Sequence, residues 1–198
     1  YSSHIHCIYF DRQNNLWLSP PEKGLDKITF SNNNFRLQPL VPEANSSKNT
    51  VRAILEDTKG NTWLATKDGK VHVADPASDY LGYVCLNGTI GNDTPIQGMT
   101  YCLYQDKSEN VWIGTRGHGL YRLTPSGGHY QIRHFINNPD VFYSLSSNHI
   151  FSIRSDSYGR IWIGTWGEGL NLFKEGKDGR SGFIHCKNQL KNYPVEQA

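Results

Sequence analysis

One pattern, present four times, limits how this chain can fold more than any other feature. An aspartate (Asp11, Asp57, Asp106, Asp156) is followed six residues later by a tryptophan (Trp17, Trp63, Trp112, Trp162). Eight residues after the aspartate the side chain is small (Ser19, Ala65, Gly114, Gly164), and fourteen after it is branched and apolar (Leu25, Val71, Leu120, Leu170). The offsets hold in every copy without a gap. Successive tryptophans are separated by roughly 50 residues, a period typical of propellers and other repeat arrays.

Each copy reads as four strands. A half-apolar strand a precedes the aspartate: HIHCIYF, VRAILE, TYCLYQ and IFSIRS. A tight polar turn follows (DRQNN, DTKGN, DKSEN, DSYGR), in which an Asp carboxylate can accept backbone N–H groups and Gly or Asn tolerates positive φ. Strand b is LWLS, TWLA, VWIG and IWIG, apolar almost throughout, as expected of a strand covered on both faces. Alternation sends the Trp and the small residue toward one neighbouring sheet and the flanking Leu, Ile or Val toward the other. Strand c is LDKITF, VHVAD, LYRLT and LNLFK; strand d is FRLQPL, YVCL, QIRHF and FIHC. The expected fold is all-β, with four four-stranded antiparallel sheets forming blades of a β-propeller. The blades span about residues 1–45, 46–95, 96–141 and 142–198, as an arc of a larger ring; a closed four-bladed ring is the alternative at this length.

The repeat also settles how to read the paired glycines of ENVWIGTRGHGLYRLT, residues 109–124. A phosphate-binding loop follows a strand and opens a helix. Here another short apolar strand follows, so Gly117 and Gly119 belong to a turn from strand b to strand c. The copy GRIWIGTWGEGLNLFK at 159–174 has the same layout.

Composition narrows the function classes. A formal net charge of +2, with no Lys/Arg cluster interleaved with aromatics, gives no case for nucleic acid. No run of 18 apolar residues could span a bilayer. The N-terminal YSSHIHCIYF lacks a basic n-region and a cleavage pattern, and reads as a cut into a longer chain. No CxxC or HExxH motif is present, and His4 and His6, two apart on strand a, have no evident further ligands, so neither a metal nor a cofactor is expected. Cys7 and Cys102 share a column with Ala53 and Ser152, a slot for small residues. Cys85 and Cys186 fall in strand d of non-adjacent blades, which argues against disulfides.

EDTKGNTWLAT, VWIGTRGHGLYRL and YGRIWIGTWGEGLNLF resemble the regulator-propeller repeat of two-component systems. The linking NPDVFYSLSSNHIFSI, with Ser146, Ser147 and Asn148 ahead of strand a, is similar to that family's inter-blade signature. The first copy departs most, with Pro20 and Pro21 where the family prefers Gly-Thr. The resemblance implies that the larger ring is a seven-bladed propeller, and that the chain is a non-catalytic sensor segment of a hybrid histidine kinase, periplasmic, responsive to glycans, and acting through a ligand-driven change in dimer geometry. It also implies as partners an oligosaccharide, the remaining blades, a downstream sensor domain and a second copy of the chain. Two other readings compete: a glycan-active propeller enzyme, sialidase- or lyase-like, and a protein-interaction propeller of WD type. The sialidase Asp-box places its aspartate two residues before the glycine, whereas Asp57 and Asp156 lie three before Gly60 and Gly159.

Strand order assigns the faces. The b-to-c turns and d-to-a loops share one face, and the Asp turns lie on the other. The shared face would carry Glu22, Lys23, Lys67, Asp68, Arg116, His118, Trp166 and Glu168, with Asn92, Asp93, Gln97, Asp140, Phe142 and Tyr143 from the long loops. Exposed aromatics among polar groups suit sugar rings, which stack through apolar faces and hydrogen-bond through hydroxyls. The candidate ligand residues are Trp166, Arg116, His118, Lys67, Glu168 and Tyr143. Trp166 leads, because its column otherwise holds Pro21, Lys67 and Arg116 and the repeat does not require an indole there. No catalytic residue is expected, and the Asp and Trp columns are read as structural.

Overall fold

A computed structural model of the chain describes residues 5–13, 15–20, 24–29, 34–38, 50–77, 80–176 and 181–190. Among the described residues there is no helix, and the strands form four antiparallel sheets, each a meander in chain order. The first holds β1 (Cys7–Phe10), β2 (Asn15–Ser19), β3 (Leu25–Thr29) and β4 (Asn34–Gln38). The second holds β5 (Val51–Glu56), β6 (Thr62–Thr66), β7 (Val71–Ala74), β8 (Tyr80–Val84) and β9 (Ile90–Gly91). The third is β10 (Met99–Gln105), β11 (Val111–Arg116), β12 (Leu120–Ser126) and β13 (His129–Phe135). The fourth is β14 (Ile150–Ser155), β15 (Ile161–Thr165), β16 (Gly169–Glu175) and β17 (Ser181–Ile184). The all-β blade architecture read from the repeat is thus the observed one.

The second sheet differs by its fifth strand. Asn87 Oδ1 accepts the Thr89 amide (3.1 Å) and hydroxyl (2.7 Å), and Gly88 takes φ 83°, so Asn-Gly reverses the chain and β9 pairs with β8. Cys85 and Cys186 lie just beyond β8 and β17 rather than inside strand d. All four cysteines are free thiols. Burial pushes the Cys102 thiol up to about 12. A Cβ on Gly114 would collide with its sulfur and lie 2.6 Å from Ile150 Cγ2, which is why strand b needs a small residue at this point.

All four aspartate turns share two bonds, in which the carboxylate accepts the amide four residues on and the indole of the next Trp. In the third copy, Asp106 Oδ1 accepts the amides of Ser108 (2.9 Å) and Asn110 (3.0 Å), while Oδ2 accepts Asn110 Nδ2 (2.9 Å) and Trp112 Nε1 (2.7 Å). The indole bond recurs from Trp17 to Asp11 (2.8 Å), Trp63 to Asp57 (2.9 Å) and Trp162 to Asp156 (2.9 Å). The carboxylate therefore ties its turn to the aromatic side chain of the next strand. It also satisfies an indole N–H that burial would otherwise orphan.

The chain divides into two compact units, residues 1–85 with 90–100, and residues 86–89 with 101–198. In the first, Leu25, Val51 and Leu64 form a buried cluster on which Trp17 and Ile54 pack. In the second, Trp112 and Leu120 of the third sheet meet Ile150, Ile153, Ile161, Ile163 and Phe183 of the fourth, with Leu145 from the connecting loop. Phe173 meets the Trp112 ring edge-on at 5.0 Å, and Phe135 stacks on it at 6.4 Å. The Arg122 guanidinium lies over both Trp112 and Phe173 while pairing with Glu175 at 3.2 Å.

The Trp column is not uniformly buried. Trp63 (0%) and Trp112 (1%) are enclosed, but Trp17 and Trp162 are only half-buried. This corrects the expectation that Trp162 is buried between blades: in its own unit the apolar cluster covers Trp112, whereas Trp162 carries the Arg160 guanidinium 5.5 Å from its ring and donates to Asp156.

Asp156 yields a pH prediction. Desolvation works to raise its carboxyl, but hydrogen bonds from Trp162 and Arg160, together with the Arg160 charge, outweigh it and hold the group down at about 2. A carboxylate depressed in the folded state contributes stability above its unfolded value, about 3.9. That contribution is lost as pH falls through the folded value. Asp156→Asn should therefore reduce the loss of stability between about pH 4 and pH 2, measured as midpoint shifts in acid titrations of both proteins. Equal slopes would show that this turn makes no contribution to acid sensitivity.

Candidate functional site

The turns of the second unit are positioned by the loop before β14. Leu145 is fully buried and anchors the segment 145–149. The Ser146 amide donates to Asn171 Oδ1 (2.9 Å), and Asn171 Nδ2 returns a bond to Ser146 Oγ (2.7 Å). The Asn148 carbonyl accepts from Gly117 N and Gly119 N, each at 2.9 Å. One residue on, the His149 carbonyl accepts Trp166 N at 2.9 Å, and His149 is bridged to Arg116. The Ser-Ser-Asn stretch is therefore a splint. It holds the b-to-c turn of the third sheet on one side and that of the fourth on the other.

Strand alternation builds a surface on this splint. Ile150 is fully buried, so His149 and Phe151 both face outward. Phe151 lies 5.2 Å from Trp166 and 4.9 Å from Tyr101, with both ring pairs tilted at 34°. Trp166 is 69% exposed and Phe151 41%. Trp166, chosen from the sequence as an indole the repeat does not require, is thus one member of a run of three aromatic rings.

The other candidates are placed as follows. Arg116 and His118 are exposed in the third sheet's b-to-c turn, and the His118 carbonyl is bonded to His134 Nε2 at 2.6 Å. Glu168 is ion-paired with Lys187. The Tyr143 hydroxyl accepts Gln189 Nε2 at 2.9 Å, and its ring meets Phe142 edge-on at 5.0 Å. Near Glu168 and Lys187, His185 is buried, and desolvation lowers it below the usual imidazole range despite a backbone hydrogen bond with Ser144. Lys67 and Asp68 belong to the first unit, where the Lys67 amide donates to the Thr50 carbonyl (2.8 Å) and Asp68 accepts the Thr66 hydroxyl (2.5 Å). In the same unit the Asp93 carbonyl accepts the Tyr83 hydroxyl at 2.8 Å. Pro21, Glu22, Lys23 and His4 lie outside the described residues.

Sequence reasoning passed over Phe151, Tyr101 and His149. A signal for two of them was available: the column five before each aspartate reads His6, Arg52, Tyr101, Phe151, polar in the first two copies and aromatic in the last two. It also passed over the residue four after each aspartate, Asn15, Asn61 and Asn110, whose side-chain amides bond the turn carboxylate; Arg160 replaces them in the fourth copy.

Comparison with known proteins bears on this geometry. The two component regulator propeller family matches residues 45–68, 95–117 and 144–167. Histidine kinase P4 of Formosa agariphila is 30% identical over 77 residues, which is 39% of this chain and 5% of that protein. The extracellular domain of a hybrid two component system from B. thetaiotaomicron superposes with a TM-score of 0.67 at 18% identity, over 92% of this chain and 24% of that one. Virginiamycin B lyase from Staphylococcus aureus superposes with a TM-score of 0.63 at 14% identity, over 91% of this chain and 55% of that one. This chain thus spans a small part of the histidine kinase it matches and a quarter of the extracellular domain. The two structural likenesses are statements about fold. The segments 95–117 and 144–167 each run from a d-to-a loop through strand a, the Asp turn and strand b, and the second of them includes the splint described above. Two component regulator propeller repeats are thus matched in the second, third and fourth sheets of the chain.

Proposed function

We propose that the chain is a non-catalytic, extracytoplasmic sensor segment of a hybrid two-component histidine kinase, and that it responds to glycans through the turn face of its second unit. The observation that carries the glycan reading is the run Tyr101–Phe151–Trp166, an aromatic platform at positions where the first two copies of the repeat have no aromatic hydrocarbon ring. Aromatic faces of this kind suit the apolar faces of sugar rings. The repeat family and the histidine kinase relative support the signalling role. Further blades of a larger propeller, a downstream sensor domain and a second copy of the chain are the partners we assign to it, and the periplasm its compartment. Ligand can drive signalling only if it binds one arrangement of the dimer more tightly than the other.

Replacing Trp166 tests the reading. Trp166→Ala should leave stability within about 0.5 kcal/mol of the parent, as for most exposed positions. It should weaken oligosaccharide binding by about 2 kcal/mol, the scale of a stacking hot spot, or roughly thirty-fold. Thermal melts and a signalling reporter in the full receptor read the two effects separately. A stable variant that signals normally would place the sensing face elsewhere.

A further inference from the structure

The platform has a cation at one end that the fold leaves unengaged. Among the described arginines of the second unit, Arg122 and Arg133 both pair with Glu175, at 3.2 and 3.3 Å. Arg160 pairs with Asp156, and Arg154 donates to the Ile153 carbonyl at 3.0 Å. Among the described residues, the Arg116 guanidinium makes no ion pair, hydrogen bond or ring contact. It is exposed, at the end of β11, where its backbone is bridged to His149. Trp166 is bonded to the same His149 from the other side, and the His149 imidazole lies toward Gly117, next to Arg116. The neighbouring carboxylate in the turn of the fourth sheet, Glu168, is already neutralised by Lys187.

We propose that the surface running from Arg116 past His149 to Trp166, Phe151 and Tyr101 binds an anionic sugar, a uronate or a sulfated residue. The sugar ring lies on Trp166 and Phe151, and its carboxylate or sulfate is taken by Arg116. This rests on reading the platform as a sugar-binding surface and adds the charge of the sugar. The physical argument is one of contrast. A neutral sugar needs only the rings and hydrogen-bonding groups, and offers Arg116 no charge to pair. A planar guanidinium with free N–H groups matches a carboxylate or sulfate with two parallel bonds. The aromatic faces beside it exclude water and strengthen that charge pairing. The indole N–H of Trp166 also makes no hydrogen bond among the described residues, and is available to a ring hydroxyl.

Titration calorimetry on the whole chain tests this with two acidic probes and their neutral counterparts. The probes are an oligogalacturonate with its methyl ester, and a sulfated galactan oligosaccharide with its desulfated form. At least one acidic probe should bind about tenfold or more tightly than its neutral counterpart, the scale of one charge-assisted hydrogen bond. Which of the two is preferred distinguishes carboxylate from sulfate. Arg116→Gln should abolish that preference, while Trp166→Ala should weaken acidic and neutral probes alike. Thermal melts of both variants should match the parent, since both side chains are exposed. Equal binding of acidic and neutral probes, or a preference that survives Arg116→Gln, overturns the anionic assignment, and the sugar reading stands if Trp166→Ala still weakens binding. Acidic binding indifferent to Trp166→Ala places the site elsewhere and overturns the proposal. Binding of no probe overturns the sugar reading with it.

Discussion

Trp112→Ala should cost about 3–5 kcal/mol, the range for truncating a large aromatic in a packed core. The indole is 1% exposed and lies where the third and fourth sheets meet, against Phe135 and Phe173 and beneath the Arg122 guanidinium. Its removal opens a cavity that Leu120, Ile150 and Ile163, all fully buried, cannot readily collapse into. It also takes away the 2.7 Å donor to Asp106 and leaves Arg122 with Phe173 as its one remaining aromatic face among the described residues. The comparison that gives the result meaning is Trp162→Ala. That residue occupies the same column and makes the same bond to its aspartate, but it is half-buried. Truncating it should cost roughly 1–2 kcal/mol, as for a side chain that loses only part of a buried environment. Chemical denaturation followed by far-UV circular dichroism reads both as midpoint shifts. If the two substitutions cost the same, the indole's contribution lies in the Asp–Trp hydrogen bond common to the column and not in packing between sheets.

The difference between these two tryptophans shows what the amino-acid order could and could not convey. The offset from Asp106 to Trp112 and from Asp156 to Trp162 is identical, so any local rule treats them alike. Local rules were enough for the strands and the Asp turns, because each is decided by neighbours within one hairpin. Burial of an indole is decided by what another sheet brings to it, here Phe173 and Phe183, some sixty residues or more away in the chain. The same reason explains the candidate site. Trp166 stood out as an exception within its column, but its ring partner Phe151, and Tyr101 on which Phe151 rests in turn, come from two strands of different sheets. Only the splint at Asn148 and His149 places those strands and turns side by side. The fifth strand of the second sheet was legible in principle from Asn87-Gly88, but that turn falls outside the four-strand unit the repeat had led us to expect.

The second large effect concerns the paired glycines. Gly117 has φ 85° and Gly119 φ 75°, both in the left-handed region that side chains with a Cβ disfavour. Conformational strain alone would cost about 1–2 kcal/mol at either. Space separates them. A Cβ on Gly117 meets nothing closer than His149 Cε1 at 3.7 Å, an ordinary contact. A Cβ on Gly119 would fall on the Phe135 carbonyl oxygen, 3.2 Å from the carbonyl carbon and 3.3 Å from Asn148 Oδ1. Those atoms cannot give way freely. Leu120 pairs with Phe135 in the ladder, and Asn148 Oδ1 accepts the Asn137 amide at 2.7 Å. Overpacking of this kind adds about 1–3 kcal/mol. Gly119→Ala should therefore cost roughly 2–5 kcal/mol in total, and Gly117→Ala only the strain component of about 1–2 kcal/mol. Thermal and chemical denaturation of the two variants side by side would measure the difference. Equal costs would mean that strain alone selects glycine at both positions and that the approach of Phe135 relaxes without penalty. A larger cost at Gly119 would show that the second glycine lets β12 enter its sheet beneath the loop carrying Asn148. That is a structural reason for the pair with no phosphate involved, and it leaves the outer side of the same turn, at Arg116, open to a ligand.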